Sequence, residues 1–216
     1  MTQSYHFESE ESLLEDDALG IRLPHSVEEA LQIDEETGTD FWHKAIEKGM
    51  KNVRVAFERW DGGTKEEARD GKKLVGYQEI GCHMVFDIKL DGLFRRKARL
   101  VAGGHATEPP ASVTYASVVS RDSVRLAFLI GALNELDVLA ADVQNAYINA
   151  PCREKVWTVA GAEFGSDKGA VMIVKRALYG LKSSGAAWRL MLAGSFARYG
   201  IQEHKSGSGC LDSSAE

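Results

Sequence analysis

At 216 residues, 44% hydrophobic and 27% charged, the chain is long enough for one sizeable core or two small ones, and no apolar run reaches the ~18 residues of a membrane span. Its net charge of −6 argues at first against nucleic-acid contact, but residues 1–40 hold twelve acids against Arg22 alone, while residues 41–216 hold 25 Lys and Arg against 20 Asp and Glu. A mildly basic body behind an acidic leader suits phosphate contact; a solvated surface with a disordered acidic tail accounts for the same charges, and composition leaves both open.

Along the chain, residues 1–23 are acidic and without a sustained period, which predicts a disordered leader. The leader lacks the basic-then-apolar pattern of a secretory or mitochondrial address. Ser26-Val-Glu-Glu29 has the form of a capping box and opens a short helix to about Ile33. After Asp40 a stronger helix follows: Trp42, Ala45, Ile46, Met50, Val53 and Phe57 recur at helical spacing, with Lys44, Lys48 and Lys51 on the other side. Asp61 to Gly71 is polar and glycine-flanked, a loop. Cys82–Leu90 and Lys97–Ala102, joined through Asp91-Gly92, predict a β-hairpin.

Ser123 to Leu136 predicts a helix with Asp122 as N-cap and an almost wholly apolar surface, hence buried. Strands are expected at Val138–Val143, Lys155–Val159 and Val171–Val174, and a last helix runs from about Ser184 to Tyr199, stopping at Gly200. The mixture is α+β, with a hairpin-bearing lobe before a sheet-and-helix lobe. Cys82, Cys152 and Cys210 are far apart and odd in number, with no metal-pair spacing, so they read as free thiols of a reducing compartment, cytoplasmic or nuclear.

Three blocks carry candidate chemistry. In Ala140-Ala-Asp-Val-Gln-Asn-Ala-Tyr-Ile-Asn-Ala150, Asp142 falls at the end of an apolar strand and Tyr147 follows a tight turn. Asp142 serves there either as a turn-forming cap or as a ligand for a divalent metal, and Tyr147 either as a core tyrosine or as a roof over whatever Asp142 binds. Asp137 is a rival acid that precedes the strand. In the hairpin, alternation sets Lys97, Arg99 and Val101 on one face and Ala98, Leu100 and Ala102 on the other. The cationic face reads as a solvated surface, or as the kind of cations a triphosphate needs, with Lys89, Arg95 and Arg96 near enough to serve instead. In Ala177-Leu-Tyr-Gly-Leu-Lys-Ser-Ser-Gly-Ala-Ala-Trp188, Gly180 permits close backbone approach, and Lys182 with Ser183 or Ser184 reaches phosphates or merely starts a helix over a core Trp188. His105, after two glycines, is too weak a cue to assign.

Lys97-Ala-Arg-Leu-Val-Ala-Gly-Gly-His105, Thr114-Tyr-Ala-Ser-Val-Val-Ser-Arg121, Ala140–Ala150 and Ala177–Trp188 occur in this order. Together they resemble the reverse transcriptase of Ty1/copia-type retrotransposons, from about Pro24 to about Gly200. The resemblance implies polymerase fingers over 24–136, including the hairpin at 82–102, and a partial palm over 137–200. It implies Asp142 and the Val143 carbonyl as ligands of Mg²⁺, Tyr147 as the gate that rejects a 2′-hydroxyl, Lys97 and Arg99 as the triphosphate clamp, and Gly180 and Lys182 in the segment under the template base. The implied partners are an RNA or DNA template-primer, deoxynucleoside triphosphates and the remainder of a retroelement polyprotein, in a virus-like particle for an intact element.

The family places a Tyr/Phe-Val-Asp-Asp hairpin beyond the last helix. Residues 201–216 hold no such run, and Asp212 sits in a Ser/Gly-rich setting. The expectation is therefore a truncated fragment, probed either as a non-catalytic nucleic-acid-binding remnant or as a relic without function.

Overall fold

The computed structural model describes residues 20–90, 92–108, 116 and 119–198. Most of the leader, Asp91 of the hairpin turn, most of the Thr114–Val118 block, Tyr199, Gly200 and the tail with Cys210 and Asp212 lie outside the described residues. No helix among the described residues is long and apolar enough to cross a membrane.

Helix α1 (Val27–Thr37) starts where Ser26 accepts the Glu29 N–H at 3.1 Å, as the sequence predicts. The reciprocal arm differs: the Glu29 carboxylate accepts from the His25 N–H at 2.8 Å. Gly38 ends α1 with φ +65°, donating to the Asp34 and Glu35 carbonyls. Helix α2 (Phe41–Val53) buries the Trp42, Ala45, Ile46, Met50 and Val53 stripe that its periodicity marks. Phe57 leaves the helix and enters a short strand, β1 (Phe57–Arg59).

The polar 61–71 stretch is not all loop. It holds helix α3 (Lys65–Arg69), where Thr64 and Glu67 complete a reciprocal capping box. Strand β2 (Gln78–Glu79) precedes the expected hairpin, β3 (Cys82–Lys89) and β4 (Arg95–Ala102), whose register sets Asp87 opposite Lys97 and Val85 opposite Arg99. Ala98, Leu100 and Ala102 are buried, confirming which face packs.

Strands β5 (Val156–Val159) and β6 (Val171–Val174) fall where the sequence places them. Among the described residues they centre a sheet of order β1-β6-β5-β2, antiparallel except for the β2–β5 pair, and the hairpin forms a separate two-stranded sheet. The main core joins α2 to both: Trp42 meets Phe86 edge-on at 5.5 Å, and Met50, Leu100, Val156 and Met172 belong to the same buried cluster.

Two expectations fail together. Helix α4 (Arg121–Leu133) forms, but its N-cap is Ser120, which accepts from the Ser123 N–H, and its apolar residues are exposed apart from Gly131. The following segment, Val138–Val143, is no strand, and Leu139 is 94% exposed. Both failures have one cause: a strand needs a hydrogen-bonded neighbour and an apolar helix needs a facing layer, and no described element supplies either here. Helix α5 (Ser184–Arg198) closes the described chain.

Candidate functional site

The hairpin's polar face, one face of α2 and the segment after α4 enclose a cavity of about 410 Å³. From the hairpin come Lys89, Arg95, Lys97 and Arg99; from α2 come Lys48, Gly49 and Asn52; from the segment after α4 come Asp142 to Asn145. Tyr179 contributes an aromatic wall. Asp142 is the one carboxylate among the described lining residues, so the cavity is strongly cationic.

This charge is visible in its effects. Lys97 titrates below the ordinary lysine range, chiefly because it is partly desolvated, and further because Arg99 and Lys89 repel its proton. Among the described residues the ion pair of Arg99 is a long one, 3.7 Å from the Asp87 carboxylate. Arg96 is differently employed: its guanidinium lies 5.1 Å from the Phe41 ring centroid and 5.9 Å from that of Trp42, and it donates to the Phe94 carbonyl at 2.7 Å.

Lys97, Arg99, Asp142 and Val143 thus line one cavity, with Asp142 in a segment without regular structure and not at a strand end. Tyr147 stands one layer back. Within a short turn of helix (Ala146–Asn149), its ring packs at 4.8 Å and 51° against Tyr179, and Tyr179 meets the cavity.

Gly180 and Lys182 stand apart from the cavity. Gly180 has φ +92°, and a Cβ there would lie 1.9 Å from the Ala102 carbonyl oxygen. The close approach fastens this turn to the end of β4, where the Ala102 N–H donates to the Tyr179 carbonyl at 2.8 Å. Lys182 donates its ammonium to the Thr107 carbonyl. The Ser183 N–H and hydroxyl both donate to Glu154, at 2.8 and 2.7 Å, and the Ser184 hydroxyl donates to the Leu178 carbonyl at 2.6 Å. His105 is exposed and outside the cavity lining.

Tyr179, Lys48 and Asn52 are among the lining residues to which the sequence assigns no role in the site. Tyr179 lies inside a quoted block without a role of its own. Lys48 and Asn52 sit one helical turn apart with Gly49 between them, and the signal was that glycine: a helix-interior Gly marks close approach to a neighbour. Here the neighbour is β4, because a Cβ on Gly49 would lie 2.6 Å from the Ala98 carbonyl oxygen.

The donors suit a hard cation only in part. The Asp142 carboxylate and Val143 carbonyl are oxygen ligands of the kind Mg²⁺ takes, which it supplements with substrate phosphates. No group of three His, Cys, Asp or Glu among the described residues forms a ready metal site. The arrangement fits one ion shared with a phosphate ligand and does not fit a self-sufficient pair of ions.

A family model described as reverse transcriptase (RNA-dependent DNA polymerase) matches residues 72–212, about two thirds of the chain, leaving α1 and α2 outside the match. The Transposon Ty1-DR4 and TyH3 Gag-Pol polyproteins of Saccharomyces cerevisiae are each 29% identical to it over 153 residues, 68% of this chain but 9% and 8% of their own lengths. The chain therefore spans less than a tenth of the curated relatives it matches. No solved structure matches it. With its family model covering both the hairpin cations and Asp142, the chain belongs to the reverse transcriptase (RNA-dependent DNA polymerase) family, in its Ty1/copia retrotransposon branch.

Proposed function

We propose that this chain is the incoming-nucleotide portion of a retrotransposon reverse transcriptase, carried within a larger Gag-Pol-type polyprotein. In this reading α2 and the β3–β4 hairpin belong to fingers spanning 24–136, and 137–200 is part of a palm. The single observation that carries it is the cavity in which Lys97 and Arg99 face Asp142 and Val143. The substrates are deoxynucleoside triphosphates and a template-primer.

Lys97 and Arg99 hold the triphosphate. Lys97 titrates below the ordinary lysine range chiefly through desolvation and further through Arg99 and Lys89; a polyanion offsets that repulsion, so binding favours the charged ammonium. Asp142 and the Val143 carbonyl are the residues that would hold Mg²⁺. What that ion supplies, when bound, is neutralisation of charge growing on the leaving oxygens. Tyr147, held by Tyr179, limits the room for a 2′-hydroxyl, and Gly180 and Lys182 fix the turn beneath the template base. The 216 residues include no aromatic-x-Asp-Asp run, so further carboxylates must come from elsewhere for two-ion nucleotidyl transfer.

The cationic excess of the cavity also favours a second reading, a nucleic-acid-binding module without catalysis of its own. Equilibrium binding of a fluorescent deoxynucleoside triphosphate with Mg²⁺, together with primer extension, separates the two. The first reading expects saturable triphosphate binding that falls at least tenfold in K97A/R99A, since each charge-assisted hydrogen bond is worth about 1.5–3 kcal/mol. It also expects no extension by the 216-residue chain alone. Duplex binding without triphosphate binding would select the second reading.

A further inference from the structure

We infer that Lys48 and Asn52, on helix α2, form a second phosphate-holding wall of the cavity, so that the site for an oligophosphate is built partly by residues that precede the family-matched segment. This rests on the reading of the cavity as a triphosphate site. Ala45, Lys48, Gly49, Asn52 and Val53 all line the cavity, and they fall at the i, i+3, i+4, i+7, i+8 positions that share one helix face. The face is fixed against the hairpin by Gly49, whose lack of a side chain allows the helix backbone to approach the Ala98 carbonyl. Ala98 lies between Lys97 and Arg99 in β4, so the contact that seats the helix also sets Lys48 and Asn52 beside the hairpin cations.

The chemistry of the two side chains suits the terminal phosphates of a polyanion. Lys44, one turn earlier, is paired with Asp40 at 2.7 Å, whereas Lys48 is exposed and has no ion pair among the described residues. Its charge is available to a ligand. The amide of Asn52 adds two N–H donors without adding charge. Lys51 lies on the same helix outside the cavity lining, so it reports on general electrostatics alone.

The test is equilibrium binding of inorganic tripolyphosphate to the 216-residue chain, comparing wild type with K48A, K48R, N52A, K51A and K97A/R99A. We expect K48A to lose about tenfold in affinity and N52A about threefold, K48R to retain most binding, and K51A to stay within twofold of wild type. All five substituted positions on α2 and the hairpin have partly or fully exposed side chains, and coincident thermal melts would show that the fold persists. Loss in K97A/R99A without loss in K48A overturns this inference and leaves the hairpin clamp standing. Equal losses in K48A and K51A also overturn it, because the effect would then be net charge. Loss in K48A with none in K97A/R99A supports the helix wall and removes the clamp. Absence of binding by the wild-type chain overturns both.

Discussion

Gly180 shows how one residue carries both a left-handed backbone and a close contact with a distant strand. Its φ of +92° is a region that L side chains avoid, and the Ala102 carbonyl occupies the place of a Cβ. The left-handed backbone alone costs a substituted residue about 1–3 kcal/mol. The clash adds to this, because Ala102 is backbone in a packed hairpin and cannot swing aside. Gly180→Ala is expected to destabilise the chain by about 3 kcal/mol or more, a fall of roughly 6–12 °C in Tm for a protein of this size. Thermal denaturation followed by circular dichroism checks it. An unchanged melt would mean that the turn does not sit against β4 as described. Gly49 is the helical counterpart, where the cost of glycine in a helix is offset by the approach to Ala98.

At the scale of elements, α2 matters most, since it supplies the core stripe on one side and the cavity wall on the other. Asp40 stands at its N-cap but makes no capping hydrogen bond. That role falls to the buried Asp34 of α1, whose carboxylate accepts from the Trp42 N–H at 3.2 Å, the His43 N–H at 2.8 Å and the Thr39 hydroxyl at 3.1 Å. Asp34→Ala would leave two helix N–H groups without their partner, at about 1–3 kcal/mol for each buried group. We expect a net loss of ~2–3 kcal/mol for D34A, and for D40A a change within about 0.5 kcal/mol, because the latter removes only an exposed i,i+4 ion pair. Urea unfolding of the two variants decides this, and a larger effect for D40A would refute the assignment. Sequence showed α2, the hairpin, β5 and β6 because each has a local period that its own side chains declare. It did not show the Asp34 cap, which spans eight residues to Trp42, nor β1 and β2, whose three and two residues are too short to have a period. The candidate site divides in the same way. Lys97, Arg99 and Asp142 were legible from ordered blocks, while Lys48, Asn52 and Tyr179 join them only through the packing of α2 on β4 and of the Tyr179 turn on Ala102.

Across the whole molecule, burial is uneven: one region is a packed α+β body and another, α4 with the 136–143 segment, leaves apolar surface to solvent. Phe128, Leu129 and Ile130 are each more than half exposed, Leu133 is 75% exposed and Leu139 94%. Sequence predicted the opposite because a helix apolar on all sides is normally enclosed by other layers. The inference from composition was sound for a surface that has a partner, and among the described residues that partner is missing. Contiguous exposed apolar patches beyond roughly a few hundred Å² mark association sites or aggregation liabilities. The 216-residue chain in isolation is therefore expected to self-associate at micromolar concentration and to bind an apolar dye. Leu133→Lys with Leu139→Lys should reduce both, while leaving the melt of the body within about 0.5 kcal/mol, as surface substitutions away from packed features do. Sedimentation velocity over a concentration series, with dye fluorescence on the same samples, measures the effect. A wild-type chain that stays monomeric and leaves the dye dark would show the face to be covered within the molecule. Association that survives both lysines would place the contact elsewhere, and the basic cavity, with its demand for a polyanion, would then be the next surface to test by adding salt.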